Sequence, residues 1–250
     1  MSMEWFDGLD DLIFPVASDL DRHLFRIIPF DSLLQMFTDK HNILVKTSKW
    51  EDSYENFLLK ETIIHNGEPV NLKIYQDRLF GQCWTTKQSS DALWRIYSPD
   101  KKSVRIKTTI GMLWDSVKGA SEGRSAIGRV QYVPQKKLTE DLLKVSPFSV
   151  ERLSRLIVSS FFIKRISFSH ESEYRLIYMC KESSQDISKD IKCFDIKPLD
   201  FILNVYFDPR ADSAYVDRCT KVLVNAYGYP KDRIHKSTLY DFNPITIEVN

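Results

Sequence analysis

Cysteine and histidine are scarce in this chain of 250 residues, and their scarcity excludes several kinds of site. The four cysteines, Cys83, Cys180, Cys193 and Cys219, are widely spaced, with no Cys-x-x-Cys pair and no histidine at ligand spacing. The five histidines are scattered and form no metal-ligand motif. We therefore predict reduced thiols in a cytoplasmic protein, with neither disulfides nor a metal site.

Long apolar runs and an excess of charge of one sign are also missing. The strongest apolar run, LIVSSFFI at 156–163, is far shorter than the roughly 20 residues of a membrane-spanning helix. No basic segment leads into an apolar run at the start, so we expect neither a signal peptide nor a membrane partner. With 35 basic and 34 acidic residues, the net charge gives no argument for nucleic-acid binding, although it leaves a local basic patch open.

Glycine and proline are few, at 8 and 10, and no Ser/Gly-rich or charged linker separates two halves. We therefore predict a single domain over 23–250, preceded by an N-terminal extension over 1–22. Strand-like and helix-like stretches alternate with strands in excess, which predicts an α+β fold with a mixed, mainly antiparallel sheet and packed helices. Two of the helices are predicted over 136–145 and 148–164.

Among the residues that are present, a pair of acids stands out in SFSHESEYRLIY, at 167–178. The aromatic and β-branched residues from Glu173 onward predict a strand after a Ser- and His-containing loop. Side chains alternate along a strand, so Glu171, Glu173 and Arg175 are expected on one face. Arg175 could then neutralise one carboxylate and leave the other available. The alternative is an exposed strand end with a solvated ion pair, which contributes only about 0–1 kcal/mol.

Polar residues at two further places are unusual if they serve only to support the fold. Arg26 lies in the apolar stretch LFRII, where its guanidinium needs a partner such as a carboxylate or a phosphate, unless the strand is an edge strand with Arg26 in water. Thr47 and Ser48 end a predicted strand with hydroxyl groups, and Trp50 follows as an apolar wall.

Aromatic residues are concentrated in CWTTKQSSDALWRIYS, at 83–98. Trp84, Trp94 and Tyr97 stand beside hydroxyl groups, a composition that suits a flat heteroaromatic ligand as well as a protein core. Trp94 and Tyr97 are three residues apart on one predicted helix face, so core packing is the default interpretation for them.

The succession LFRI, QCWTT, SDALWRIYS, FFIKRISFSHESEYRLIY and ILNVYFD resembles the bacterial domain-of-unknown-function 2971 family over about residues 23–210. The most specific part of the resemblance is Lys164 followed by Glu171, Glu173, Tyr174 and Arg175. The name of this family implies no activity.

A weaker resemblance is to a second family, whose motif residues occur in the same order along this chain. An arginine on the first strand, a Ser/Thr on the second and a Glu-x-Glu before a late strand are similar to the Arg-Ser-Glu pattern of NAD-dependent ADP-ribosyltransferases. This resemblance implies that Arg26 holds the NAD pyrophosphate and that Ser48 supports the nicotinamide side. It also implies that Glu173 stabilises the oxocarbenium-like transition state and that Glu171 orients the attacking acceptor.

The chemistry fits those residue types, because a negative charge stabilises the cation that develops when a glycosidic bond breaks. With Trp84, Trp94 and Tyr97 as aromatic contacts, the leading hypothesis is an NAD-consuming transferase or glycohydrolase in a bacterial stress or phage-defence system. Its acceptor is not specified by the sequence.

Two alternatives stay open. One is a metal-dependent nuclease that uses Asp52, Glu171 and Glu173 around Mg²⁺, with Lys164 near the scissile phosphate. The other is a binding or sensor module of a defence system without catalysis, in which the acids form a structural ion-pair network around Arg175 and Arg26.

Overall fold

A computed structural model of the protein describes residues 12–14, 19–52, 54–55, 57–65, 67–136, 153, 157–242 and 244. Its strands are β1 (Leu12–Phe14), β2 (His23–Pro29), β3 (His41–Lys46), β4 (Ile63–His65), β5 (Glu68–Val70), β6 (Leu79–Thr85), β7 (Ser103–Thr109), β8 (Gly123–Arg129), β9 (Gln131–Val133), β10 (Ile163–Arg165), β11 (Glu173–Cys180), β12 (Ile191–Asp195), β13 (Asn204–Phe207) and β14 (Ile234–Lys236). Its helices are α1 (Phe30–Asp39), α2 (Phe57–Lys60), α3 (Lys73–Gln76), α4 (Asp91–Tyr97), α5 (Ile110–Asp115), α6 (Pro198–Phe201) and α7 (Ser213–Tyr227).

The backbone forms two compact units, and each is assembled from three segments of the chain. The first unit comprises the described residues within Met1–Leu24, His41–Thr86 and Thr109–Lys197. The second comprises those within Phe25–Lys40, Lys87–Thr108 and Pro198–Asn250. The segments of the two units alternate along the sequence, so no single cut in the chain separates them. The division into an extension over 1–22 and one domain over 23–250 stays a prediction.

In the first unit, β11 is the central strand and is buried along its whole length. It pairs antiparallel with β8 on one side and with β6 on the other. Beyond these strands, β1 pairs in parallel with β8, and β3 pairs antiparallel with both β6 and β12. An apolar cluster packs with this sheet and includes Leu58, Leu79, Ile157, Phe161 and Ile177.

In the second unit, β7 pairs antiparallel with β13, which pairs in parallel with β14. The rings of Phe30, Phe207 and Tyr215 pack at centroid distances of 5.9 to 6.3 Å and connect α1, β13 and α7. The longest described helix, α7, ends at Gly228, whose φ of 64° is a left-handed conformation that glycine adopts without a steric penalty.

These sheets and helices confirm the predicted α+β class with a mainly antiparallel sheet. The helix predicted over 136–145 lies almost entirely outside the described residues, as does much of the one predicted over 148–164. Residues 157–160 are helical, but 163–165 form β10, because their backbone pairs in parallel with β9. None of the described helices combines the length and the apolarity that a membrane span needs.

Candidate active site

The acid pair lies where the central strand of the first unit begins. Glu173 and Arg175 are on β11 and alternate, so their side chains share one face as predicted. Glu171 is not on the strand. It ends a 3-10 turn over Ile166–Glu171, and Ser172, with a φ of 47°, turns the chain before the strand starts. The strand prediction is therefore confirmed from Glu173 onward, whereas Glu171 approaches the same region from a turn.

The alternative of an exposed strand end is wrong. Glu171 is 6% exposed, Glu173 is 5% exposed and Arg175 is completely buried. β11 is an inner strand between β6 and β8, and each of the three side chains has a partner of opposite charge, which offsets the cost of burying it.

The ammonium group of Lys164, on β10, connects three carboxyl groups. Its Nζ atom lies 2.5 Å from Glu171 Oε2, 2.7 Å from Glu173 Oε1 and 3.1 Å from Glu55 Oε1. Lys164 is itself buried, and its Nζ lies 4.5 Å from the centre of the Phe168 ring. The two acids that the sequence placed together therefore share one cation.

Arg175 completes the arrangement. Its Nε atom donates to Glu173 Oε2 at 2.6 Å, its Nη2 atom to Glu55 Oε1 at 2.6 Å and its Nη1 atom to the carbonyl oxygen of Phe161 at 2.8 Å. The guanidinium carbon lies 4.8 Å from the centre of the Trp50 ring. We call Glu55, Lys164, Glu171, Glu173 and Arg175 the charge cluster.

The sequence does not mark Glu55, in the stretch KTSKWEDSYE, as a site residue. The backbone N–H of Glu55 does bond the carbonyl oxygen of Asp52, as in a turn, but its carboxylate bonds Arg175, which is 120 positions later. No local signal in the sequence identifies that contact.

Gly81 makes room for the Trp50 ring, which packs beside the charge cluster. A Cβ atom at Gly81, on β6, would lie 2.5 Å from Cζ2 of Trp50, which is closer than carbon atoms can approach. Gly81 therefore allows the Trp50 ring to pack directly on the sheet beside Arg175. The ring also meets Phe161 edge to face at a centroid distance of 5.9 Å.

The two acids of the pair have pKa values on opposite sides of the usual glutamate value. Burial raises the pKa of Glu171 to about 7, helped by the hydrogen bond that it shares with the carboxylate of Glu173, while Lys164 opposes the rise. Burial by itself also raises the pKa of Glu173, but the charge of Arg175, the hydrogen bond from Glu171 and the charge of Lys164 outweigh it and lower the pKa to about 2. Near neutral pH, Glu173 is therefore ionised, whereas Glu171 is present in both its protonated and its ionised form.

Charge balance explains this division. With Glu171 protonated, the carboxylates of Glu55 and Glu173 match the cations of Lys164 and Arg175. With Glu171 ionised, the buried cluster carries one uncompensated negative charge, which a region with little solvent disfavours.

Neighbouring hydroxyl groups fix the backbone that carries the acids. The backbone N–H of Glu173 donates to the hydroxyl oxygen of Tyr132 at 2.8 Å, and Thr85 Oγ1 donates to the carbonyl oxygen of Glu171 at 2.5 Å. Burial raises the pKa of Tyr132 to about 12, so its hydroxyl group stays protonated at neutral pH. These bonds hold both acids on rigid elements, which is what a precise site needs.

The other predicted site residues of the first unit are Ser48 and Trp84. Ser48 is exposed in the 3-10 turn Thr47–Lys49. Trp84 is a buried core residue on β6, and its Nε1 atom donates to Gln82 Oε1 at 2.7 Å.

The remaining predicted residues belong to the second unit. Arg26 is half-buried on β2. Trp94 and Tyr97 lie three apart in α4, but Trp94 is completely buried whereas Tyr97 is 47% exposed, so they do not share one buried face. Core packing thus describes Trp94. The roles of all seven predicted residues in catalysis or NAD binding stay predictions.

The residues of the nuclease hypothesis are engaged by cations of the chain itself. Asp52 Oδ1 bonds Arg165 Nη2 at 3.0 Å, and Lys164 occupies the position between Glu171 and Glu173. In the part of the chain that the structure describes, no group of three or more His, Cys, Asp or Glu side chains could hold a metal ion.

The solved structures that are similar to this chain include two structures of Thermus sp. 2.9 DarT. The chain is 9% identical to DarT in complex with NAD+, with a TM-score of 0.40, and the match covers 87% of this chain and 96% of that one. It is 11% identical to DarT in complex with ADP-ribosylated ssDNA, with a TM-score of 0.39, and that match covers 91% of this chain and 98% of the other. No family model and no curated protein matches the sequence. The resemblance to the domain-of-unknown-function 2971 family stays a prediction.

Proposed function

We propose that the chain is an NAD-consuming enzyme, an ADP-ribosyltransferase or an NAD glycohydrolase, in which Glu173 is the essential carboxylate. The observation that supports this proposal best is the pair of adjacent carboxyl groups, Glu171 and Glu173, that share Lys164 and differ strongly in pKa. Neighbouring acids whose environments push their pKa values apart are suited to two different roles.

The two roles match the chemistry of breaking the bond between ribose and nicotinamide. As this bond breaks, nicotinamide leaves with the electron pair and positive charge develops on the ribose, which an ionised carboxylate stabilises. Lys164 and Arg175 keep Glu173 ionised. The acceptor that attacks the ribose carbon must lose a proton, and Glu171, which titrates near neutral pH, can take it.

Arg26, Ser48, Trp84, Trp94 and Tyr97 are the proposed NAD-binding residues, and each is tested by its own substitution. The proposed setting is a bacterial stress or phage-defence system. It predicts that expression of the wild-type chain slows bacterial growth and that expression of the Glu173→Gln variant does not.

A non-catalytic binding module is the second candidate, and one observation favours it. Both carboxylate oxygens of Glu173 are already bonded, Oε1 by Lys164 and Oε2 by Arg175, and little of the side chain is exposed. A carboxylate held in this way can stabilise the fold without taking part in any reaction.

The deciding experiment compares wild type, Glu173→Gln and the control Glu61→Gln, which changes an exposed glutamate of the same unit. We expect wild type and Glu61→Gln to release nicotinamide from NAD at equal rates, and Glu173→Gln to be slower by about 10²–10³-fold. Circular dichroism at the assay temperature checks that each variant is folded.

Equal nicotinamide release by wild type and Glu173→Gln would contradict the proposal. If millimolar NAD gives no heat on titration into wild type, and Glu173→Gln lowers only the melting temperature, the binding module is the correct interpretation.

A further inference from the structure

The second unit contains a buried arginine, Arg105, whose charge has no acidic partner within the part of the chain that the structure describes. Arg105, on β7, is 5% exposed, and no aspartate or glutamate among the described residues forms an ion pair with it. Arg210 in the same unit shows the usual arrangement, because its Nη2 atom lies 2.7 Å from Oδ2 of the buried Asp208. A buried guanidinium group without a counter-ion is unusual, because removing a charge from water is unfavourable unless another charge compensates it.

Aromatic rings surround Arg105 instead of carboxylates. Its guanidinium carbon lies 4.4 Å from the ring centre of Tyr206, 5.2 Å from that of Phe25 and 5.8 Å from that of Trp94. Tyr206 stands directly opposite Arg105 in the antiparallel pairing of β7 and β13. The faces of aromatic rings attract cations, but they carry no net charge and accept no strong hydrogen bond.

Arg105 and its neighbour Trp94 each have a buried hydrogen-bond donor that is left without a partner among the described residues. Nη1 of Arg105 donates to the carbonyl oxygen of Gln88, but Nε of Arg105 and Nε1 of Trp94 are both buried and have no acceptor among the residues that the structure describes. Buried donors are almost always satisfied in folded proteins, so two of them beside one uncompensated cation indicate a missing acceptor that carries negative charge.

The cation stays charged under ordinary conditions. Burial lowers the pKa of Arg105 to about 10, which is still well above neutral pH. The need for a counter-ion therefore persists at the pH at which proteins work.

The aromatic residues around Arg105 extend to the protein surface on one side. Tyr206 is half-buried, and its ring stacks on the exposed ring of His235 at a centroid distance of 5.2 Å and an interplanar angle of 29°. Planar rings near an anion site are a common arrangement where proteins bind nucleotides, because the rings stack on the base while the cation holds the phosphate.

We propose that Arg105 is an anion-binding residue for a phosphate group, and that Trp94 Nε1 is a second donor to the same group. The planar fork of a guanidinium group fits the oxygen atoms of a phosphate, which would supply both the missing charge and the missing acceptor. The phosphate group is that of a nucleotide or a free inorganic phosphate. The site uses residues of the second unit only and does not rest on NAD consumption.

The test titrates the full chain with sodium phosphate and with AMP at constant ionic strength, with sodium chloride and adenosine as controls. We expect saturable calorimetric binding of at least one phosphate-containing probe. Arg105→Met should weaken it by at least about tenfold, and Arg105→Lys, which keeps the charge but loses the fork, by less. The matched control is Arg95→Met, because Arg95 is an exposed arginine of the same unit that already pairs with Asp91 at 2.8 Å. This variant should bind as wild type does.

The two probes distinguish the sources of the phosphate group. AMP that binds at least about tenfold more tightly than phosphate indicates a nucleotide, because the base then adds stacking, whereas equal affinities indicate inorganic phosphate. If neither probe binds saturably to wild type, or if Arg105→Met binds as well as wild type, the proposal is wrong and Arg105 is a structural cation.

A measurement on wild type covers the case in which Arg105→Met does not fold. The N–H signal of Arg105 Nε, assigned by its loss in Arg105→Lys, should shift in nitrogen-15 NMR spectra as phosphate is added. A signal that does not move at the highest phosphate concentration would also overturn the proposal.

Discussion

The two units of this protein bury an arginine on a strand in opposite ways. Arg175, in the first unit, bonds the carboxylates of Glu55 and Glu173 and also contacts the ring of Trp50. Arg105, in the second unit, has aromatic neighbours but no carboxylate partner among the described residues. Both side chains are almost completely removed from water.

A buried charge can be compensated from within the chain or by a ligand. The charge of Arg175 is balanced within the chain, so the charge cluster is complete without a ligand and contributes to folding or to chemistry at the acids. Arg105 has aromatic neighbours that attract it without neutralising it, and in our proposal an anion from outside balances the charge that no described carboxylate balances. Three substitutions test this contrast.

Removing Arg175, the arginine with carboxylate partners, should have the largest effect on stability. We expect Arg175→Met to lower the free energy of unfolding by about 3–5 kcal/mol, because Glu55 and Glu173 would stay buried without their main cation. Urea denaturation followed by circular dichroism measures the change.

The control for this substitution is Arg22→Met, which removes an exposed arginine of the same unit that pairs with Asp19. Exposed pairs contribute about 0–1 kcal/mol, so this variant should be nearly as stable as wild type. Equal losses in the two variants would mean that burial of the charge cluster is not what makes Arg175 important.

The acid pair should make the stability of the protein depend on pH. The folded-state pKa of Glu171 is raised from 4.5 to about 7, so between these values the folded chain binds more protons than the unfolded chain. Its contribution to stability is therefore fully present below about pH 4.5 and is lost as the pH rises through 7, on the order of 1–3 kcal/mol. Glu173, with its lowered pKa, contributes in the opposite sense, because its stabilisation is lost as the pH falls from 4.5 to about 2.

Comparing wild type with Glu171→Gln isolates the first of these effects, since histidines and other titrating groups are common to both proteins. Free energies of unfolding measured from pH 5 to pH 8 should fall more steeply for wild type. Parallel curves would show that Glu171 has an ordinary pKa in the folded protein.

Removing the uncompensated arginine should have the smallest effect on stability. In buffer without phosphate, Arg105→Met should change the free energy of unfolding by no more than about 1 kcal/mol in either direction, because the lost attraction to the rings is offset by relief from burying an unpaired charge. A loss as large as that of Arg175→Met would show that the aromatic rings compensate Arg105 as fully as carboxylates do. The measurement is the same urea denaturation.

Much of the fold could be predicted from local patterns. The strand from Glu173 and the shared face of Glu173 and Arg175 each depend on alternation within a few residues. The helix predicted to reach residue 164 was wrong at its end, because the pairing of β10 with a distant strand outweighs local periodicity.

The partners of the acids could not be predicted in the same way. Glu55 is 120 positions from Arg175, and only the folded chain brings them within 2.6 Å. The nuclease alternative puts Lys164 near a phosphate, but its ammonium group lies between carboxylates. For Arg105, the flanking residues in KKSVRIKTT are basic or neutral, yet an acid elsewhere in the chain could have paired with it.

Interactions between near neighbours in the sequence are enough to specify the class of the fold, the strand that carries Glu173 and Arg175, and the second acid, Glu171, close to its start. Only the folded chain specifies which charges are buried, which cation each acid contacts and which described arginine has no carboxylate partner within the described residues. Burial and pairing of charges depend on contacts between distant segments, and desolvation changes the energy of a charge far more than any local preference does.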